Sequence, residues 1–175
     1  MSTRTERLVL ERPTAAHADA LFAISSDPRV WTHLPSGRHT DVAQTRADIE
    51  RWQRSWDLIG LGTWTVSLPG GSVIGYGGCS HQGAYWNIGY RLSPEHQGRG
   101  YATEVALAGM EHAREADPSL PRVAYLLEHN AASGRVARRL GLELAWRGPD
   151  ASVPGVRLVY ADRPLTPEQL SAVQH

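Results

Sequence analysis

Lysine is absent from the 175 residues: all eighteen basic side chains are arginine, set against eighteen acidic ones. Without lysine there is no Schiff-base nucleophile, and the P-loop, which needs Gly-Lys-Ser/Thr, is excluded. A formal charge of zero lacks the dominant positive field that nucleic acid or an anionic membrane surface demands. The one cysteine, Cys79, can form no disulfide within the chain and no thiolate metal cluster; it reads as a small buried apolar residue on a strand. No apolar run nears the roughly 18 residues of a membrane span. The opening Met1 to Glu6 is polar where a signal peptide would be apolar, and there is no Asn-x-Ser/Thr acceptor. Eight histidines are present but none in a His-Glu-x-x-His or clustered spacing, so no metal is expected. These absences predict a cytoplasmic protein partnered by neither nucleic acid nor membrane.

What is present is ordinary globular composition, 41% hydrophobic and 21% charged. The length suits one domain, 1–175, burying roughly 70% of its unfolded surface. Arg7 to Arg12 reads as a strand closed by Pro13. Thr14 caps a helix with Ala18, Leu21, Phe22 and Ile24 on one face, broken at Asp27-Pro28. A second helix starts near Thr40-Asp41, with Ile49, Trp52, Trp56 and Ile59 at helical spacing; Trp52 and Trp56 therefore read as core. Gly62 to Leu68 and Val73 to Cys79 flank the turn Pro69 to Ser72 as a hairpin. Residues 86–92 alternate Trp86, Ile88, Tyr90 and Leu92 against Asn87, Gly89 and Arg91. There follow a helix over 101–115, a nearly continuous apolar strand from Arg122 to Glu128, and a helix from Ala131 to Leu140 stopped at Gly141. Two strands, Glu143 to Arg147 and Val156 to Ala161, come last, with room for one short helix after Pro164. The order β-α-α-β-β-β-α-β-α-β-β, with a parallel pair across 84–128, predicts an α/β (α+β) fold. Its mixed sheet has about six to seven strands and about four flanking helices.

The segment richest in chemistry is Gln97-Gly98-Arg99-Gly100-Tyr101-Ala102-Thr103-Glu104, between a strand and an amphipathic helix. The glycines let backbone approach a ligand, and the following helix start offers unpaired N–H groups and partial positive charge. That is a diphosphate cradle, with Arg99 able to add charge-assisted hydrogen bonds. The dinucleotide fingerprint fails, since Thr103 stands where a third glycine belongs. Alone, Gly-Arg-Gly is equally compatible with a plain strand-to-helix turn.

Gln97 to Ala102 resembles the Gln/Arg-x-x-Gly-x-Gly/Ala signature of the GNAT superfamily of acyl-CoA-dependent N-acyltransferases. Gly89 to His96 is similar to that family's fourth strand and turn, and Asn130 to Leu142 to its Asn-x-x-Ser helix. Thr5 to Leu10, with Asp19 and Asp27-Pro28, resembles the branch containing the ribosomal-protein alanine N-acetyltransferases. The likeness spans about 5–161, the expected core, leaving 162–175 as a C-terminal tail. It implies a centrally splayed sheet that admits the pantetheine arm of acetyl-CoA, with Gly89 marking a bulge where the splay begins. Backbone at Tyr90, Arg91 and Leu92 would pair with the pantetheine amides, and Gln97, Gly98, Arg99, Gly100, Tyr101, Ala102 and Thr103 would hold the diphosphate. Asn130 would orient the cofactor near its thioester, and one of Arg135, Arg138 and Arg139 would meet the 3′-phosphate.

The implied reaction is direct acetyl transfer to a primary amine, a protein N-terminus or a small molecule, in a ternary complex. Ser133, at the Asn-x-x-Ser position, is the expected proton donor to the sulfur; the tyrosine that many relatives carry on this helix is absent. Asn87 stands where a glutamate base is often found, and an amide cannot take the proton. Glu128 and His129, beside the presumed thioester, are the favoured substitutes, Glu128 first; His81 and Asp150 are others. Trp31 and Trp86 are expected walls of the acceptor site. A CoA-binding module with little catalysis is the leading alternative, prompted by Asn87 and the missing tyrosine; a nucleotide-phosphate binder is a weaker one. A homodimer is expected only as the commonest oligomer.

Overall fold

Residues 2–174 are described by a computed structural model. Eight strands form one mixed sheet: β1 (Ser2–Arg4), β2 (Val9–Glu11), β3 (Trp64–Ser67), β4 (Val73–His81), β5 (Trp86–Leu92), β6 (Arg122–Leu127), β7 (Glu143–Pro149) and β8 (Val156–Ala161). Their spatial order is β1-β2-β3-β4-β5-β6-β8-β7. Every neighbouring pair is antiparallel except β5 and β6. Among the described residues there are five α-helices: α1 (Ala18–Ser25), α2 (Val42–Ile59), α3 (Tyr101–Ala116), α4 (Ala131–Arg139) and α5 (Pro167–Gln174).

The sequence reading misses one strand, β1, while the short helix for which it left room after Pro164 is α5. β1 is three residues of polar chain added to the sheet edge by pairing with β2, and nothing in Ser2-Thr3-Arg4 alternates. α5 is anchored by a single core side chain, Val173, which packs with Val123, Val159 and Ala161.

α3 and α4 cover one face of the sheet. Val105, Ala106 and Ala113 of α3 and Ala137 of α4 pack with Trp64, Cys79, Trp86, Ile88, Leu92 and Leu126. Gly109 allows the closest approach, since a Cβ there would lie 2.9 Å from the backbone of Gly78 and Cys79. α1 and α2 cover the opposite face through Ala18, Leu21, Ile49 and Trp52, against Val73 and Tyr76. α2 begins where Asp41 accepts from the Ala43 N–H and Gln44 reaches back to complete a capping box. It stops at Gly60, whose φ of 75° a side chain would resist. Among the described residues no helix is long and apolar enough to cross a membrane.

Candidate active site

β5 and β6 pair at only two positions, Trp86 with Arg122 and Asn87 with Val123. Beyond these, β6 follows its antiparallel partner β8 through Leu127 while β5 stays in register with β4 to Leu92. The sheet therefore splays from Ile88 onward. The β4–β5 register runs unbroken through Gly89, so no bulge opens the splay; the divergence of β6 does. Gly89 instead lies bare on the cavity wall, its would-be Cβ no closer than 3.8 Å to a non-neighbouring atom.

Strand parity determines what the gap offers. The Trp86 N–H donates toward β6, to the Pro121 carbonyl at 2.9 Å, so the backbone of Ile88, Tyr90 and Leu92 also faces that side. Side chains already serve two of these carbonyls. Gln97 Nε2 donates to the Leu92 oxygen at 3.0 Å, and Arg91 Nη1 to the Tyr90 oxygen at 2.9 Å. The N–H groups of Tyr90 and Leu92 remain directed into the gap, where a ligand can satisfy them.

Two cavities meet there. The larger, about 530 Å³, runs from the gap to the start of α3 and along α4. The smaller, about 250 Å³, lies on the α1–α2 face between β5, β6 and the β7–β8 loop. His33, Tyr90, Arg91, Asn130 and Ser133 line both, so one continuous cleft passes through the splay.

The larger cavity ends on a helix start built for anions. Gly100 is the N-cap of α3, with φ 84° and no capping side chain, and Gly98 has φ 73°. The first-turn N–H groups of α3 therefore point unpaired at the cavity. From behind, Arg7 braces the loop: it donates to the Arg99 carbonyl at 2.9 Å, pairs with Glu104, and lies 4.8 Å from the Tyr101 ring centroid. Thr103 Oγ1, in this first turn, is buried with no hydrogen-bond partner in the protein. An orphaned hydroxyl beside unpaired N–H groups fits a diphosphate. Replacing Thr103 with Val removes that unsatisfied group, so the ligand-free protein should melt higher. The same change should weaken binding of a diphosphate-bearing ligand about tenfold, the value of one hydrogen bond to a charged acceptor. Melting curves and titration with such a ligand check both signs.

Among the expected cradle residues, Gln97, Gly98, Gly100, Tyr101, Ala102 and Thr103 line the larger cavity. The Arg99 side chain does not: it is exposed, and its carbonyl is the part with a structural task. Cations come from α4 instead. Arg135 and Arg139 line the cavity, while Arg138 turns toward the Tyr160 hydroxyl at 3.4 Å. Arg29 also lines it but is neutralised by Asp27 and Glu95.

At the junction, Asn130 accepts from the Ser133 N–H at 3.2 Å and so caps α4, leaving its amide nitrogen to face the cleft. Ser133 lies near the Tyr90 phenol. Burial pushes the Tyr90 hydroxyl up, only partly offset by the neighbouring Ser133 hydroxyl and by Arg91. A phenol kept protonated therefore sits beside the serine. Sequence reasoning assigned Tyr90 to the site through its backbone and overlooked its side chain. The even-numbered apolar face of β5 held the signal, because that face packs toward α4.

On the acceptor side, Asn87 lines the smaller cavity. Asp150 does too, but it accepts from Arg157 at 2.6 Å and from Ser152 and Val153. Burial alone would raise its pKa, yet these donors hold it far below the usual carboxylate range. It is a structural anion, not a base. Glu128 lines neither cavity; it is exposed, bound in a fork by Arg147 at 2.8 and 3.1 Å, and held below the ordinary range by that contact. The sequence-based assignment of the base to Glu128 is thus corrected by the side chain's orientation outward toward β7. Cys79 is buried, as expected, with its thiol pushed up to about 12 by that burial. His81 packs edge-on against Trp86 at the other end of β5.

Both tryptophans expected as acceptor walls belong to the interior. Trp86 is 1% exposed on the α3 face and donates to the Asp117 carbonyl. Trp31 is 7% exposed, donates to the Ser25 carbonyl at 2.7 Å and supports Arg91, whose guanidinium lies 4.5 Å from its ring centroid. Neither lines a cavity. The segment around Trp31 reaches the cleft through His33 instead.

The imidazole of His33 is held down to about 4, first by burial and then by the nearby charges of Arg91 and His129. Its backbone oxygen is hydrogen-bonded by His129 Nε2 at 2.9 Å, tying the segment to the β6–α4 turn. Because the folded pKa is below the unfolded 6.5, the unfolded chain takes up the proton first, and stability falls as pH drops from about 6.5 toward 4. The lowered carboxylates act below about 4.5, under their own unfolded values. Melting between pH 6.5 and 5 therefore isolates His33: the wild-type Tm should decline there, and His33→Gln should flatten the decline.

Comparison with known proteins is consistent along the chain. A family profile described as an acetyltransferase (GNAT) domain matches residues 7–143. An acetyltransferase from Agrobacterium tumefaciens is 30% identical, with a TM-score of 0.75 over 93% of this chain and 94% of that one. RimL, a ribosomal L7/L12 alpha-N-protein acetyltransferase solved with coenzyme A, shares 19% identity at a TM-score of 0.79, covering 94% and 98%. The microcin C7 self-immunity acetyltransferase MccE, solved with acetyl-CoA and AMP, shares 15% at 0.73, covering 90% and 93%.

Proposed function

The chain belongs to the GNAT acetyltransferases, and from that premise we propose that it acetylates a primary amine by direct attack within a ternary complex in the splay between β5 and β6. The observation that carries this reading is the continuous cleft, whose five shared residues join an anion-binding helix start to a second, smaller cavity. Acetyl-CoA, the co-substrate of this family, supplies the acetyl group as a thioester. The first turn of α3, with Thr103, holds the diphosphate, and Arg135 or Arg139 meets the 3′-phosphate. The N–H groups of Tyr90 and Leu92 take the pantetheine.

The amine enters from the smaller cavity. Arg91 disfavours an ammonium there, so the amine reacts in its neutral form. Its nitrogen bonds to the thioester carbon and the carbon–sulfur bond breaks. Backbone N–H groups of β5 stabilise the charge developing on the carbonyl oxygen. The Tyr90 hydroxyl, beside Ser133, presents a proton to the departing sulfur. The proton that the nitrogen gives up passes to water in the cleft, because His33, the one imidazole common to both cavities among the described residues, is held too weakly basic to take it. One proton lost at nitrogen and one gained at sulfur balance the reaction.

The likeness to RimL supports a protein N-terminal amine as one acceptor class, and the size of the smaller cavity supports a small-molecule amine as the other. We read the whole chain, 1–175, as a single acyltransferase unit, since Val173 of α5 packs against Val123 of β6. Acetyl-CoA should raise the melting temperature, and ATP should not. Addition of an amine panel should then release free CoA; stabilisation without release would make the chain a CoA-binding module.

A further inference from the structure

We infer that the acceptor amine carries a carboxylate, or a comparable anionic oxygen group, a few bonds from its nitrogen, and that Arg91 binds that group. The inference rests on the acetyltransferase reading above and specifies its acceptor. Arg91 lies opposite Tyr76 in the β4–β5 register, which places its side chain on the α1–α2 face with the smaller cavity. Its guanidinium is fixed in orientation by the Trp31 ring beneath it and by donation to the Tyr90 carbonyl. Two contacts cannot satisfy five donors. Nε is buried with no partner, and among the described residues no carboxylate forms an ion pair with this arginine.

The rest of the cavity offers nothing that would neutralise it. Asp150 is the only carboxylate among the lining residues, and it is paired with Arg157 at 2.6 Å. His33 and Asn87 add no charge. The cavity is therefore cationic by one guanidinium, although the whole chain is neutral. A guanidinium presented with free donors in a partly dry pocket matches a carboxylate geometrically and electrostatically. At about 250 Å³ the cavity is below the size of drug-binding pockets, roughly 300–1,000 Å³, and suits an amino-acid-sized group. That group has two sources, a free amino acid or the first residue of a peptide with an acidic side chain. The cofactor's phosphates are served at the other end, by α3 and α4.

Matched acceptor pairs test this. Free amino acids are compared with their amides, and peptides beginning with Asp or Glu with those beginning with Asn or Gln, in wild type, Arg91→Gln and Arg91→Lys. In wild type at least one acid should exceed its amide about tenfold or more in kcat/KM, the value of one charge-assisted hydrogen bond. Whichever pair shows it identifies the source. In Arg91→Gln the ratio should fall to about one, and Arg91→Lys should restore part of it. Acetylation of amides and acids alike in wild type overturns the inference but leaves the acetyltransferase reading intact. A rise in KM for acetyl-CoA with an unchanged acid preference also overturns it, by assigning Arg91 to the cofactor. Acetyl-CoA binding with no amine acetylated would instead defeat the acetyltransferase reading itself.

Discussion

Tyr90→Phe is expected to lower kcat about 10²-fold while KM for acetyl-CoA stays within about twofold. The phenol lies on the α4 side of β5, beside Ser133, and burial keeps it protonated through neutral pH. Removing one oxygen deletes the proton held toward the sulfur but leaves the ring packed against the core, where Tyr90 already contributes. Proton donation at a breaking bond contributes roughly 10²–10⁴ in rate. Ser133→Ala should cost less, about tenfold, because the phenol remains and loses only its orienting partner. The reverse order of effects, with Ser133→Ala the more damaging, would place the donated proton on the serine. Stopped-flow measurement of thiol release separates this from slow product dissociation.

Gly100→Val should abolish measurable acetyl-CoA binding without unfolding the protein. Gly100 sits at φ 84°, a conformation that costs a β-branched residue about 1–2 kcal/mol or more. A Cβ there would also lie 3.3 Å from Arg7 Nη2, disturbing the arginine that braces the loop. The chain relieves both by moving the loop, which takes the unpaired N–H groups of α3 out of line and fills the space where backbone approaches the diphosphate. At 100-fold excess over Kd, binding adds about 2.7 kcal/mol of stability, a rise of about 5–10 °C in Tm for a chain of this length. The variant should show none of that rise, with a ligand-free Tm only slightly below wild type. Retention of the full rise would show that the diphosphate binds elsewhere.

Much of this site was legible before any coordinates, and for identifiable reasons. Gly98, Gly100 and Thr103 announce a helix start because chemistry at a helix N-terminus is local in sequence. Asn130 and Ser133, three apart, are a capping pair for the same reason. The alternation over 86–92 placed Asn87 and Arg91 on one face and Tyr90 on the other. What escaped was long-range. Trp31 and Trp86 are large aromatics in a loop and on a strand, and only the packing of α1 and α3 around them decides that both are interior. Glu128 has the right position along the chain for a base, but its side chain follows Arg147, nineteen residues away, out to solvent. The zero net charge was silent about Arg91, because a single unpaired guanidinium in a cavity does not alter a whole-chain sum. β1 was missed since only an edge pairing holds it, whereas the short helix after Pro164 was legible in outline and is held by one valine.

The most direct test of direct acetyl transfer in the splay is simultaneous measurement of free CoA thiol and acetylated amine, the latter by mass spectrometry, from purified protein, acetyl-CoA and an amine panel. Equal amounts of thiol and N-acetyl product, dependent on both substrates and reduced together by Tyr90→Phe, are the predicted result. Thiol release that does not increase with any amine, in a protein that acetyl-CoA still stabilises, would contradict the account.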